Sequence, residues 1–156
     1  MNAAREILEQ ALEHCDTHAQ ALRDALEDLE PNKKEILSQL DDLNKTTRRN
    51  LDQFAYRFTR LQDDMGNMLL PAILNNLAED IQSMAAIDRF NRLEQLKWLQ
   101  SSEEWLELRR VRNEFTHDYT EHSSERSSKL REAIRVAHRL LEIFEEISSR
   151  IQREIL

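Results

Sequence analysis

Residues 8 to 29 read LEQALEHCDTHAQALRDALEDL, and in this stretch an apolar side chain returns at alternating spacings of four and three. The positions are Leu8, Leu12, Cys15, Ala19, Leu22, Leu26 and Leu29. Such spacings place all of these side chains on one face of an α-helix. The stretch therefore predicts a long amphipathic helix that ends before Pro31, because proline cannot continue the hydrogen-bond ladder of a helix.

The composition extends the helical prediction to the rest of the chain. Its 156 residues are one domain's worth and include only one glycine and two prolines, which leaves few turn residues for β-hairpins. We therefore expect an all-α fold, an antiparallel up-down bundle of four to five helices. Residues 1–156 should form a single domain, with a core from about residue 36 to 150 and an acidic N-terminal helix, residues 2–30, packed on it.

A second apolar stripe runs from Ile36 to Met68. Gly66 and Pro71 should loosen or kink its end, because proline lacks an amide donor and disfavours helix at the preceding residue. The weaker periodicity of residues 75–87 indicates an irregular or short helical connector.

The remaining helices are predicted from capping and apolar patterns. A third helix should start near Asp88, and Ser101 with Glu104 fits a capping box that begins a fourth helix just ahead of Trp105. A polar break from Thr120 to Ser124 separates it from a last long helix. The apolar positions of that helix are Leu130, Ile134, Ala137, Leu141, Phe144, Ile147 and Ile151.

The formal charge of −8 is unevenly distributed along the chain. Residues 1–30 hold two basic and eight acidic side chains, a net charge of −6, whereas residues 45–60 hold five basic and one acidic, a net charge of +4. An acidic total argues against tight, indiscriminate binding of nucleic acid, but a local basic strip can steer an RNA into a cleft. The alternative for this strip is a solvated helix face.

Cys15 is the single cysteine, which excludes an intramolecular disulfide and a multi-cysteine zinc site. It favours a reducing compartment, and the lack of an apolar signal region or membrane-spanning stretch favours the cytoplasm. His14 and His18 have a spacing that can bind zinc, but no third ligand lies nearby in sequence. We expect no metal site and no cofactor, and we expect His122 and His138 on the surface.

Eight residues at the end of the predicted fourth helix, Arg112 to Tyr119, read R-N-E-F-T-H-D-Y. They place a permanently charged guanidinium, an amide and an imidazole within about two helical turns, which suits phosphate chemistry without a metal. Asn113 and His117 share a helix face, whereas Arg112 and His117 diverge by about 140°. Either the long arginine side chain curls round the helix, or a dimer brings two copies of the helix end together.

This motif resembles the R-x4-H-x-Y motif of HEPN domains, in the form carried by the toxin members of HEPN/minimal-nucleotidyltransferase pairs. Residues 54–66, F-A-Y-R-F-T-R-L-Q-D-D-M-G, also resemble the second-helix region of that family. The resemblance covers most of residues 36–150 and leaves out the first thirty. It implies a helical homodimer with a metal-independent endoribonuclease site at its interface, in a prokaryotic toxin-antitoxin system. A cognate minimal nucleotidyltransferase would neutralise it.

The resemblance also implies roles for the motif residues. His117 from the two subunits would act as base and acid, Arg112 would stabilise the charge of the transition state, and Asn113 would hold a phosphate or orient His117. Tyr119 would accept an adenylyl group (AMP) from the partner; the alternative is a ring packed on the bundle with a locally bonded hydroxyl. The further candidates for RNA binding are Arg109, Arg110, Arg57 and Arg60.

Other readings of the same residues stay open. They suit a non-catalytic subunit that binds a nucleotide or a nucleotidyltransferase, and a coiled-coil scaffold would explain the first helix but not the motif. The motif also arises by chance on helices, with Arg112 paired to Glu114 or another carboxylate and His117 capping a helix end. Asp63 and Asp64 either orient Arg112 or the basic strip across a cleft, or lie on a solvated helix face.

Overall fold

The computed structural model describes residues 2–120 and 124–156, and this part of the chain is helical with no β-strand. Its α-helices are α1 (Ala3–Leu29), α2 (Lys33–Ser38), α3 (Lys45–Asp64), α4 (Leu70–Asn76), α5 (Ala86–Gln95), α6 (Ser102–Thr120) and α7 (Arg126–Glu154). Short 3₁₀ turns lie at Glu30–Asn32 and Ile81–Ser83, and a π-helix at Met65–Leu69 joins α3 to α4. Five of the described α-helices have ten residues or more, so the predicted all-α helical bundle is confirmed.

The long first helix is confirmed in both its ends and its buried face. α1 begins after Asn2, whose Oδ1 accepts hydrogen bonds from the amides of Ala4 at 3.1 Å and Arg5 at 3.4 Å. It ends at Leu29, before Pro31. Its buried face comprises the seven predicted positions together with Ala11, His18 and Ala25. This face packs against α3, α4 and α7.

The second apolar stripe does not form one continuous helix. α2 ends at Ser38, and α3 starts separately at Lys45 after Asn44. The Oδ1 of Asn44 accepts a hydrogen bond from the amide of Thr47 at 2.8 Å. Asparagine is a strong helix cap because its side chain replaces the hydrogen bonds that the first amides lack. The cap signal therefore outweighs the continuous apolar spacing at this point.

The irregularity predicted at Gly66 and Pro71 is confirmed as a π-helix. The Leu70 amide donates to the carbonyl of Met65, five residues earlier, so the hydrogen-bond ladder widens by one residue. Pro71 lies in the first turn of α4, where its missing amide costs no hydrogen bond within that helix.

Two further boundaries lie close to their predicted positions. The connector between α4 and α5 contains the 3₁₀ turn Ile81–Ser83, and α5 begins at Ala86, two residues before the predicted start. The polar break predicted from Thr120 to Ser124 falls largely on residues 121–123, which lie outside the described residues, as does His122.

The start of α6 is fixed by a side-chain cap and an ion pair. Ser101 Oγ accepts a hydrogen bond from the amide of Glu104 at 3.0 Å, which is half of the predicted capping box. The carboxylate of Glu104 receives two hydrogen bonds from Arg139 of α7, each 3.0 Å long. The first turn of α6 is therefore held against α7.

Three phenylalanines form the contact between α3 and α6. Phe54 and Phe58 stack with ring centroids 5.7 Å apart, and Phe115 of α6 meets both edge-on, at 5.9 Å and 6.0 Å. At most 1% of each residue is exposed. Edge-to-face pairs of this kind stabilise by about 0.5–1.5 kcal/mol beyond the burial of their area.

No helix among the described residues is both long enough and apolar enough to cross a membrane.

Replacing Phe115 by alanine should lower the free energy of unfolding by about 3–5 kcal/mol, because it leaves a cavity against Phe54 and Phe58. Urea denaturation followed by circular dichroism measures the change. Phe115→Leu is the matched control and should cost less, since it keeps most of the buried volume. A loss below about 1 kcal/mol for the alanine variant would contradict the central role given to this contact.

Candidate functional site

The packing of α6 divides the motif between an inner and an outer face. Trp105, Arg112 and Tyr119 recur at spacings of seven; Trp105 is 1% exposed, and Arg112 and Tyr119 are half-buried. Asn113 and His117 are exposed. The arginine and the histidine of one chain therefore face different surroundings, as their spacing along the helix predicts.

Arg112 is held by an ion pair with α3. Its Nη2 donates to Asp63 Oδ2 at 2.6 Å, and its Nη1 donates to Asn113 Oδ1 at 3.0 Å. Only 18% of the arginine side chain is exposed, against 39% for Asp63. Of the two readings of Asp63 and Asp64, the structure supports the one in which an aspartate orients Arg112.

Asp64 faces a different helix from its neighbour. Its Oδ2 lies 3.2 Å from His18 Nε2 and 3.5 Å from an Nη atom of Arg60, and the residue is 6% exposed. Arg57 donates from Nη1 to His18 Nδ1 at 2.9 Å, so the histidine proton lies on Nε2, towards Asp64. The prediction that Asp64 lies on a solvated face is therefore wrong.

Cys15, His18, Arg57, Arg60 and Asp64 form a cluster between α1 and α3, the α1–α3 cluster, in which burial sets the pKa values of the histidine and the thiol. Desolvation lowers the pKa of His18, although the charge of Asp64 opposes the shift. Burial, followed by the charge of Asp64, raises the pKa of the Cys15 thiol to about 12. The histidine is thus held neutral by its surroundings, and the thiol is inert.

The described residues contain no group of three or more His, Cys, Asp or Glu arranged to hold a metal ion. His18, a member of the zinc candidate His14–Cys15–His18, uses both ring nitrogens in contacts with Arg57 and Asp64. His138 is exposed, as predicted.

Tyr119 is enclosed by α3 and α7. Its hydroxyl donates a hydrogen bond to Asp52, its ring lies 5.3 Å from that of Phe115, and the guanidinium of Arg126 lies 5.0 Å from its ring centroid. Burial, then the hydrogen bond to Asp52, raises the pKa of Tyr119 above its usual range. These contacts match the alternative in which the unmodified Tyr119 packs its ring on the bundle and uses its hydroxyl for a local hydrogen bond.

An open cavity of about 420 Å³ adjoins Tyr119. Its polar lining comes from Asp41, Arg48, Asp52 and Arg126, and its apolar lining from three leucines, Leu40, Leu43 and Leu51. Tyr119 and its hydrogen-bond partner Asp52 thus both line a cavity that is open to solvent.

The four arginine candidates for RNA binding differ in their partners. Arg57 and Arg60 belong to the α1–α3 cluster around His18 and Asp64. Arg109 is exposed on α6, one turn before Arg112. Arg110 is engaged by carboxylates of α6 and α7: Glu107 at 2.5 Å, Glu114 at 2.7 Å and Glu132 at 3.4 Å.

The sequence carries no signal for Asp52 or Arg126, although both contact Tyr119. Asp52 is 67 residues away along the chain, so only the packing of α3 on α6 brings them together. Arg126 looks in sequence like any charge at the start of a helix. For the part of α3 that contains Asp52, the sequence predicts only a basic strip, at residues 45–60.

Comparison with known proteins finds no match: no family model, no curated protein and no solved structure matches the chain.

The raised pKa of Tyr119 predicts a delayed phenolate titration. In a Tyr56→Phe protein, Tyr119 is the only tyrosine, and its absorbance change at about 295 nm should appear only above the usual tyrosine pKa of about 10. In concentrated urea the same protein should titrate near 10. Because the folded-state pKa is the higher one, the stability contributed by Tyr119 is full below about pH 10 and is lost as the pH rises through the folded-state pKa.

Asp52→Asn is the matched variant for that titration, since it keeps the size of the side chain and removes its charge. It should move the phenolate titration of Tyr119 back towards the usual range. An unshifted titration in the folded Tyr56→Phe protein would contradict the burial of the Tyr119 ring and its hydrogen bond to Asp52.

Proposed function

We propose that this protein is a metal-independent endoribonuclease that acts as the toxin of a toxin-antitoxin pair, with a composite site formed by two copies of the chain. The proposal rests on the resemblance of residues 112–119 to the HEPN motif and on one observation. Asn113 and His117 lie exposed on one face of α6, directly beside an arginine fixed by an acidic partner.

The chemistry requires a base and an acid, and the His117 side chains of two chains can fill these two roles. The 2′-hydroxyl oxygen of the RNA attacks the neighbouring phosphorus, and its proton passes to one His117 imidazole. The bond from phosphorus to the 5′-oxygen breaks, and that oxygen takes a proton from the second His117. The products are a 2′,3′-cyclic phosphate and a 5′-hydroxyl end. A single chain supplies one such histidine, so pairing the exposed faces of two α6 helices completes the set.

Arg112 supplies the positive charge that the pentacoordinate phosphorus needs. In its ion pair with Asp63 the aspartate side chain is 39% exposed. A phosphate can therefore take the place of Asp63 beside the guanidinium, because water solvates the released carboxylate. Asn113, whose Oδ1 accepts from Arg112, keeps the guanidinium close to the exposed face that carries His117.

Tyr119 fits the role of a regulatory acceptor. Its hydroxyl would attack the α-phosphorus of ATP held by the cognate nucleotidyltransferase, pyrophosphate would leave, and the hydroxyl proton would pass to Asp52. The adjoining cavity of about 420 Å³ has room for part of the adenylyl group. The added anion would compete with RNA phosphate for nearby arginines.

The second candidate is a non-catalytic subunit that binds a nucleotide or a nucleotidyltransferase through the same surface. It is favoured by the pairing of Arg112 with Asp63 and of Tyr119 with Asp52, which gives both side chains a protein partner without substrate. It is also favoured by the net charge of −8, which repels RNA.

The ribonuclease proposal predicts that the purified protein cuts single-stranded RNA in the presence of EDTA and leaves a 2′,3′-cyclic phosphate. His117→Ala should lower the rate by about 10² to 10⁴-fold, since it removes both the base and the acid. His138→Ala, an exposed histidine on α7, is the matched control and should cut at the parent rate. Gel analysis of end-labelled RNA measures both.

Arg112→Ala should lower the rate of RNA cleavage as much as His117→Ala does. Asp63→Ala, which removes the carboxylate that orders Arg112 and keeps the guanidinium, should lower the rate much less than Arg112→Ala does. Light scattering at low micromolar concentration should give about twice the chain mass of 18.5 kDa. Parent protein that never cuts RNA would leave the binding subunit as the function, and a monomer that cuts would refute the composite site.

The regulatory role predicts that ATP and the cognate nucleotidyltransferase add one or more adenylyl units to the protein. Intact mass spectrometry should show these additions, and Tyr119→Phe should remove them. Tyr56→Phe, which changes the exposed tyrosine of α3, is the matched control and should be labelled like the parent. Unchanged labelling of Tyr119→Phe would show that another residue is the acceptor.

A further inference from the structure

A small polar pocket opens between α3, the π-helix Met65–Leu69 and α6. It has a volume of about 20 Å³, room for one water-sized group, and its rim includes Asp63 and Arg109. Asp63 is the partner of Arg112, and Arg109 lies one helical turn before it. The pocket is therefore next to the proposed ribonuclease site.

The floor of this pocket carries buried polar atoms without hydrogen-bond partners. Gln62 is 3% exposed, and neither its Nε2 nor its Oε1 has a partner. Trp105 is 1% exposed, and its Nε1 is also unpaired. An unpaired buried donor or acceptor costs about 1–3 kcal/mol, so folded proteins keep few of them. Three such atoms on two residues that line the same pocket indicate a place that a ligand completes.

The backbone keeps this opening free. Gly66 lies in the π-helix, where a Cβ atom would be 3.5 Å from Trp105 Cζ2 and 3.9 Å from Trp105 Nε1. These are ordinary contact distances, and the glycine does not have a positive φ. An alanine is therefore tolerated by the fold, but its methyl group takes up space beside the indole N–H.

We propose that this pocket binds the lactam edge, O=C–N–H, of an unpaired uracil or guanine beside the cleaved phosphate. The inference rests on the proposed function, because it assumes that RNA reaches Arg112. Gln62 Nε2 and Trp105 Nε1 donate to the carbonyl oxygen of the base. The ring N–H of the base donates to Gln62 Oε1.

The lactam edge uses all three unpaired groups, and the edges of adenine and cytosine do not. A carbonyl oxygen accepts two hydrogen bonds, one from the amide and one from the indole. Adenine instead presents an amino group beside a ring nitrogen, and cytosine presents either the same pair or a carbonyl oxygen beside a ring nitrogen that carries no proton. The first pair leaves the indole N–H of Trp105 without an acceptor, and the second leaves Gln62 Oε1 without a donor. Both are the kind of mismatch that gives strong discrimination.

The position of the pocket also suits a base rather than a free small molecule. Its volume has room for one water-sized group, which the exocyclic oxygen would fill, so the ring of the base must lie at the opening. Arg109 at the rim can pair with a phosphate of the same strand. The pocket would thus select which base lies beside the cleaved bond.

The test uses 2′-O-methyl hexamers, which cannot be cut because the attacking hydroxyl is blocked. Binding is measured by fluorescence anisotropy of an end label. Hexauridine should bind about tenfold more tightly than hexacytidine, since a paired base edge is worth about 1–3 kcal/mol. The two oligomers differ only at the edge that the pocket contacts. A cytidine hexamer that carries one guanine should bind more tightly than the same hexamer with one adenine.

Three variants connect the preference to the pocket. Gln62→Met keeps the length of the side chain and removes both polar atoms, so the preference for uridine should fall to about twofold or less. Gly66→Ala should have the same effect by filling the opening, while its thermal midpoint is at least that of the parent. Gln53→Met, an exposed glutamine of α3, is the matched control and should keep the full preference.

The failures of the two proposals are distinguishable. Equal binding of hexauridine and hexacytidine, or a preference that survives Gln62→Met, overturns the base pocket and leaves a bound water as its occupant. A preference for uridine in a protein that never cuts RNA supports the pocket and refutes the ribonuclease.

Discussion

The packing of Phe115 against Phe54 and Phe58 sets the rotation of α6 about its own axis. All three rings are buried, and the edge-on contacts at 5.9 Å and 6.0 Å leave one orientation in which the aromatic side chain points into the core. Once Phe115 is fixed, the helical geometry fixes its neighbours. Arg112 turns towards α3, and His117 turns towards solvent.

Two polar contacts flank this aromatic core along the α3–α6 seam. Asp52 receives the hydroxyl of Tyr119, and Asp63 receives the guanidinium of Arg112. Each aspartate gives a partner to a polar group, the hydroxyl or the guanidinium, that would otherwise lie unpaired near the core, where an unpaired group is costly. The same contacts hold the two most distinctive motif side chains in single positions. Preorganisation of this kind is what phosphate chemistry requires, since a mobile arginine must be ordered at each turnover.

Neighbouring carboxylates on α3 serve different helices because successive residues on a helix diverge by about 100°. Asp63 contacts α6 through Arg112, and Asp64 contacts α1 through His18. The outcome separates an accessible ion pair from a buried contact between a carboxylate and a histidine. Asp63 remains 39% exposed and can yield its arginine to a phosphate, whereas the Asp64 side chain is 8% exposed and is enclosed with a neutral histidine. Only the first of the two can take part in a reaction with an external ligand.

Apolar spacing, caps and helix breakers determined the helices of this protein, because these are local effects that a few neighbouring residues decide. The face of α1, the cap at Ser101 and the irregular turn at Gly66 follow from such signals. The continuous apolar pattern gives no sign of the break at Asn44, where a single cap outweighs it. The divergence of Arg112 from His117 was likewise a property of the helix and needed no tertiary contact.

The tertiary structure alone decided which partners those side chains meet. Asp52 and Tyr119 are 67 residues apart, and Asp63 and Arg112 are 49 apart, so no local pattern connects them. The unpaired polar atoms of Gln62 and Trp105 are equally invisible in sequence. There Gln62 looks like a surface residue of one helix, and Trp105 looks like a core residue of another. A sequence encodes periodicity and caps through short-range geometry. The pairing of distant charges arises only when the helices pack.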